Sequence, residues 1–172
     1  RAGVGDDLIS IAGGIAAGSL FGGDGNDSIN VAFSAVTTNV LVKGDGSSTG
    51  VDTINLAFDV YSSTSVYGGA GADSIVLSGS TDNGSNIFDA GAGDDTVLFA
   101  SAGASTLSGS TVVGGAGNDS ILFQAQAAAA VNSGYFKGGA GNDTITLSDG
   151  DHSLGSAGAV NTTIKGGAGA DS

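Results

Sequence analysis

Apolar residues in this chain come in short bursts of period two, each burst placed just after an aspartate that closes a glycine-rich stretch. Two residues beyond that aspartate stand Ile9, Ile29, Ile54, Ile75, Val97, Ile121 and Ile145. Four beyond stand Ile11, Val31, Leu56, Leu77, Phe99, Phe123 and Leu147. Alternation of β-branched and aromatic residues predicts strands with one buried face. A second, shorter strand is predicted before each glycine stretch, with Leu20, Val42, Val66, Phe88, Val112, Phe136 and Ile164 pointing inward. The residue after each of these varies between Phe21, Lys43, Tyr67, Asp89, Val113, Lys137 and Lys165, as an outward position should. Between the two strands runs a Ser/Thr/Asn/Gly/Ala segment of uneven length. It often carries one more apolar residue (Ile15, Val36, Val60, Leu107 or Val131), which predicts a weak third side.

The closing aspartates are Asp7, Asp27, Asp52, Asp73, Asp95, Asp119, Asp143 and Asp171, at intervals of 20, 25, 21, 22, 24, 24 and 28 residues. One unit therefore reads as loop, strand, elastic turn, strand. Each is too small to bury its own apolar face, so the units must stack and share a core. The prediction is an all-β, right-handed parallel solenoid of about seven coils, each of 20–28 residues with one glycine-rich loop, over residues 1–172 as one domain. At the usual strand spacing seven steps make a rod of about 34 Å. The run Ala127–Ala130 is too short for an independent helix.

Composition sharpens this. Glycine supplies 33 of 172 residues without a three-residue period, which excludes collagen. The 17 acidic residues are all Asp, the shorter carboxylate that suits tight turns. Four basic residues leave a formal charge of -13, which argues against nucleic acid and anionic membrane surfaces as partners. Apolar stretches fall well short of the roughly 20 residues that cross a bilayer, so membrane insertion is not expected. The absence of Cys excludes disulfides and thiolate metal sites. The chain opens and closes in the same phase of its repeat, "RAGVGDD" against "KGGAGADS", and reads as a piece of a longer protein.

Successive glycines allow carbonyl groups to converge on one point, and the closing Asp adds a carboxylate. Stacking places one such loop over the next, so oxygens from two coils can enclose a cation. Calcium, with 6–8 oxygen ligands in flexible geometry, suits this supply better than magnesium, and one His with no Cys disfavours zinc and copper. The stretches "GGDGNDSIN" from Gly22, "GGAGADSIV" from Gly68, "GGAGNDSIL" from Gly114 and "GGAGNDTIT" from Gly138 resemble the nonapeptide of the RTX (hemolysin-type) calcium-binding repeat family. That resemblance implies a parallel β-roll with calcium between successive turns, found in secreted toxins, proteases, lipases, adhesins and surface-layer proteins. It carries the ligating aspartate onto Asp27, Asp73, Asp95, Asp119, Asp143 and Asp171, with Asp7 in a shortened first loop. Family members place nonapeptides back to back; here only one edge of each coil carries a loop, which implies one row of ions. The third loop, "GDGSSTGVD", has three extra residues and Asp45 where the second glycine belongs. At Asp52 calcium is then weak, displaced or absent, or else Asp45 substitutes as a ligand. Asp24 either supplies an additional oxygen or is solvated.

Eight stacked acidic loops repel one another unless cations intervene, and six divalent ions would offset most of the charge. Folding is therefore expected to require calcium. Catalysis is not expected: the single His152 lies in a polar turn beside Asp149 and Asp151, and no carboxylate pair stands out from the ladder of Asp. The leading expectation is a calcium-dependent structural module of a secreted or cell-surface protein of surface-layer type, self-associating end to end or laterally. The alternatives are an adhesin, an ice- or carbohydrate-binding solenoid with a cell-surface polysaccharide as partner, and an accessory domain of a secreted polysaccharide-degrading enzyme or toxin. For ice, "TTN" at Thr37–Asn39 and "NTT" at Asn161–Thr163 are the candidate residues, and the uneven coil length argues against an even face. For sugars, Tyr61, Tyr67 and Tyr135 are few and spread out.

Overall fold

The computed structural model describes residues 1–13, 15–32, 36–45, 49–57, 60–79, 81–82, 84–101, 106–125, 130–148, 153–154 and 162–172. Three parallel sheets run along one stacking axis, of seven, six and seven strands, and every coil contributes one strand to each sheet it reaches. The run-out sheet holds the strands that follow the loops: Leu8–Ile11, Ser28–Ala32, Thr53–Ala57, Ser74–Leu77, Thr96–Ser101, Ser120–Ala125 and Thr144–Ser148. The lead-in sheet holds those that precede them: Gly18–Gly23, Val40–Asp45, Ser65–Ala70, Ile87–Ala92, Thr111–Ala116, Tyr135–Ala140 and Thr163–Ala168. The third sheet closes the coil with strands of two or three residues, from Val36–Thr38 to Ser153–Leu154. The chain is thus an all-parallel β-solenoid, as its periodicity predicts.

Pairing keeps each residue type over its counterpart. Ile29, Ile54 and Ile75 stack in one column of the run-out sheet, continuing through Val97 and Ile121 to Ile145. Val42, Val66, Phe88, Val112 and Phe136 stack in the lead-in sheet. These columns, with Val31, Leu56, Leu77, Phe99 and Phe123, form the buried core. The aromatic rings sit at its middle: Phe88 meets Phe99 edge-on at 5.4 Å, and Phe99 lies 5.8 Å from Phe123. At the ends, Leu20, Ile9, Ile11 and Ile145 are partly buried and Ile164 is exposed.

One expectation is corrected. The lead-in strands are not the shorter ones, because they extend through the first three loop residues, whose pairing continues as Gly91 with Gly115 and Ala92 with Ala116. The third side holds Val36, Val60, Leu107 and Val131, each in one of its strands. There Val36 and Val60 share a row with Thr81, Thr106 and Ala130, whereas Leu107 and Val131 share the next row with Leu154. Strands this short carry too little alternation to fix a register in the sequence. The side chains of Val36, Val60, Leu107, Val131, Leu147 and Tyr61 lie outside the described residues, as do Asn161 and most of Ala127–Ala130.

Coil-length variation is absorbed at three places: between the run-out and third sheets in several coils, in the third loop with its three extra residues, and between Leu154 and Thr163 in the last coil. The chain is short from Ile54 to Val60 and longer from Val97 to Thr106, yet both strands pair in register. Unequal coils therefore leave the run-out and lead-in sheets evenly spaced, and the objection that uneven coils preclude an even face does not hold for them. In five coils the corner from the third sheet into the lead-in sheet carries a left-handed residue: Asn39, Ser63, Ser85 and Ser133, with φ of 53–59°, and Gly109 at 66°, with Gly84 at 93° beside Ser85. Small polar residues tolerate this conformation by bonding locally.

Replacing Phe123 by Ala is expected to cost about 3–5 kcal/mol, because the cavity is hemmed in by neighbouring coils. Leu122→Ala on the outer face of the same strand should cost far less. Urea unfolding of the two variants under one set of conditions checks the contrast.

Candidate metal centres

Six of the eight loops, all but the first and third, make their turn at the second and fourth positions. In the loop that closes at Asp119 these are Gly115 and Gly117, with φ of 129° and 133°. A β-carbon on either would also run into a carbonyl oxygen of the preceding coil, Gly91 O or Gly93 O. The first loop glycine is needed for a different reason. A β-carbon on Gly114 would collide with the carboxylate of Asp119, which folds back over it, and the same holds for Gly22 with Asp27, Gly138 with Asp143 and Gly166 with Asp171.

That fold-back turns the closing aspartates into a ladder. The backbone N–H of Asp7 donates to Asp27 Oδ1 at 2.9 Å, that of Asp27 to Asp52 Oδ1 at 2.7 Å, and that of Asp52 to Asp73 Oδ1 at 2.7 Å. The series continues from Asp73 to Asp95, Asp95 to Asp119, Asp119 to Asp143 and Asp143 to Asp171, at 2.7, 3.0, 2.9 and 3.0 Å. One oxygen of each carboxylate is thus committed to the neighbouring coil. The other is not: Oδ2 of Asp27, Asp52, Asp73, Asp95, Asp119 and Asp143 is buried with no hydrogen-bond partner. An ionised oxygen left so costs at least as much as an unmade hydrogen bond. Asp7 and Asp171 close the row at more exposed positions, and Asp7 Oδ2 accepts the N–H of Gly3 at 3.0 Å.

Burial raises the carboxyl pKa of these groups. Asp52 is pushed up to about 7, and Asp73 and Asp95 to about 6. Burial is the largest cause in each, the N–H of the preceding coil's Asp pulls the other way, and neighbouring aspartates add to the rise. Asp119 is raised for the same reasons.

The third loop differs. Asp45 takes the strand position that pairs with Gly23, is itself buried, and accepts the N–H of Gly50 at 2.9 Å and that of Ala70 at 3.4 Å. Its charge is among those that raise Asp52 and Asp73. Two buried carboxylates therefore serve this rung, where the loops at Asp27, Asp73, Asp95, Asp119 and Asp143 each have one. Asp24 stands apart from the row: it is half-buried at the third loop position, and its backbone bridges to Val4. His152, Asp149 and Asp151 lie outside the described residues.

A second ladder, not foreseen from the sequence, runs on the outside of the loops one residue earlier. Asp6 Oδ1 accepts from Asn26 N–H, Asn26 Oδ1 from Val51 N–H, Asp94 Oδ1 from Asn118 N–H, Asn118 Oδ1 from Asn142 N–H and Asn142 Oδ1 from Ala170 N–H, all at 2.7–2.9 Å. The recurrent "ND" and "DD" pairs were its signal, but Asn and Asp in a turn have many local uses. A buried polar corner of Thr64, Asn86 and Ser110 was also missed; there Asn86 Oδ1 accepts the N–H of Thr64 at 2.7 Å.

Among the described residues no group of three or more metal-ligating side chains converges. The acids stand in single file, so a cation in the row would draw on carboxylate and backbone carbonyl oxygen together. That all-oxygen donor set fits calcium, and the buried acidic row is consistent with calcium-binding sites. Comparison with protein families gives the same chemistry: the family described as RTX calcium-binding nonapeptide repeat matches in four copies, at residues 12–31, 65–82, 97–121 and 135–151. No curated protein and no solved structure matches the chain.

The raised pKa values set a pH dependence for the metal-free chain. A free carboxyl titrates near 4. Between that pH and about 6–7 the folded state holds more protons than the unfolded one, so stability is full below the free value and is lost as pH rises through 6–7. In chelator, the β content by circular dichroism should therefore be greater at pH 5 than at pH 7.5. An unchanged or lower β content at pH 5 would contradict the buried row.

Proposed function

Because the chain carries repeats of the RTX calcium-binding family, we propose that it is a calcium-clamped structural module in which one row of ions lies between successive loops. RTX repeats are structural elements, and the chain is a calcium-binding repeat module rather than an enzyme. The observation that carries the finer reading is the file of six buried, unpartnered Oδ2 atoms, one per coil. Asp27, Asp73, Asp95, Asp119 and Asp143 are the principal ligands in this reading, Asp7 and Asp171 serve the end loops, and Asp52 acts with Asp45 in the third. Asp24 adds an oxygen at the edge of the second loop. The glycine carbonyls that face the next coil supply the remaining oxygens.

Bound calcium would supply positive charge, and would take oxygen ligands from the chain, where the folded coils have gathered negative charge. The chain's own part is to hold the carboxylates fixed through the Oδ1 ladder, with Oδ2 left for the ion. Since the sites exist only in the stacked coils, binding is coupled to folding. A site filled at a hundred times its dissociation constant adds about 2.7 kcal/mol. Extracellular calcium modules work at millimolar affinity, which suits a chain that folds after export. Secretion or display at a bacterial cell surface follows, with lateral or end-to-end association of the coils into a surface lattice.

Circular dichroism during calcium titration tests the coupling: β content should rise cooperatively with calcium, and full β content in excess chelator at neutral pH would refute it. Asp119→Asn separates the clamp from mere turn geometry, because Asn keeps the Oδ1 acceptor and removes the charge. It should raise the β content in chelator and shrink the gain that calcium brings; a loss of β content in both conditions would point to a purely structural Asp.

A further inference from the structure

We propose that the outer face of the lead-in sheet is a docking surface for an acidic polysaccharide. In a chain of net charge -13, all four basic residues are found on this side. Lys43, Lys137 and Lys165 occupy one outward row: Lys43 pairs with Phe21 on one side and Tyr67 on the other, and Lys137 pairs with Lys165. Arg1 joins them at a cavity of about 220 Å³ that it lines with Phe21, Gly23, Lys43 and Asp45. Against these cations the face sets Asp89, whose carboxyl is raised by burial and lowered by Lys137, and Asp45, which is turned to the backbone of its own loop.

Aromatic rings are interleaved with the charges. The Lys43 ammonium lies over the Tyr67 ring, 5.1 Å from its centre, and that of Lys165 over Tyr135 at 5.7 Å. Tyr135 is in the adjacent outward row, paired with Thr163. Cation–ring contact holds the ammonium groups close to the sheet, which lowers the side-chain entropy lost when an anion arrives.

Two properties select the occupant. The rungs repeat at about 4.8 Å, so the paired Lys137 and Lys165 offer cations on neighbouring rungs to an extended glycan lying along the stacking axis. Positive charge is sparse, which matches carboxylates spread along a sugar chain; a nucleic acid backbone would call for denser clusters. The inference goes beyond the calcium reading and requires only a folded coil, however that fold is stabilised.

Affinity electrophoresis of the calcium-loaded chain through polygalacturonate, its methyl ester and a neutral glucan is the test. The acidic polymer should retard the chain, the ester and the glucan should not, and added salt should weaken retardation. Lys137→Glu with Lys165→Glu should lower affinity at least tenfold with the circular dichroism spectrum unchanged, and the milder Lys137→Ala with Lys165→Ala should weaken it as well. Val76→Glu, the same charge on the run-out sheet, should not. Several results would overturn the proposal: no retardation, equal retardation by the ester, or retardation that ignores the lysines and rises with calcium beyond the level needed to fold. So would a wild-type dimer in sedimentation that the lysine variants dissolve, since a second copy would then be the occupant. Failure of the calcium titration leaves this test intact, and failure here leaves the calcium reading intact.

Discussion

A parallel coil stacks each residue on its own counterpart, about 4.8 Å away. For isoleucine or phenylalanine that is favourable; for aspartate it is not, since unit charges at that distance in a dry interior repel by several kcal/mol. This constraint organises the molecule. Its core columns run from end to end through Ile29, Ile54, Ile75, Val97 and Ile121 without interruption. Its carboxylate column runs parallel to them, equally buried, with one oxygen of each Asp satisfied by the neighbouring coil and the other by no protein group. Without a counter-charge, the repeat that builds the core also builds a line of electrostatic stress.

The glycines follow from the same geometry. Where the loop tightens, the carbonyl of one coil lies against the Cα of the next, and where the Asp turns back, its carboxylate covers the first loop residue. A side chain at the tight turns would separate the coils, and one at the first position would displace the loop's own Asp, although the loop closing at Asp95 accepts the small Ala90 there. These exclusions explain why the loop sequence returns so closely while the segment between sheets varies in length. The third loop tests how much departure the stack accepts: Asp45 replaces a glycine, and its carboxylate takes up the N–H groups of Gly50 and Ala70.

Much of this was legible in the sequence. Period-two alternation identified the inward residues of the run-out and lead-in sheets, because strands of four to six residues carry enough pattern to fix a face. The closing aspartates announced themselves by recurrence. The third sheet was foreseen only as a weak side, and its register was not legible, because strands of two or three residues hold no pattern. The division of labour between Oδ1 and Oδ2 was out of reach, since it depends on the carboxylate folding over Gly114 and its equivalents rather than pointing outward. The outer ladder of Asp6, Asn26, Asp94, Asn118 and Asn142 was hidden because such residues are expected in any turn. That Lys43, Lys137 and Lys165 share one outward row was legible in the sequence, and the pairing of Lys137 with Lys165 agrees with it.

The measurement that bears most directly on the electrostatic constraint is a crystal structure of the chain grown in calcium, with anomalous scattering recorded to locate the metal. The account predicts a single file of anomalous peaks between successive loops, each beside the Oδ2 atom of a closing aspartate. The same coils, fully ordered at neutral pH with no peak in those gaps, would contradict it.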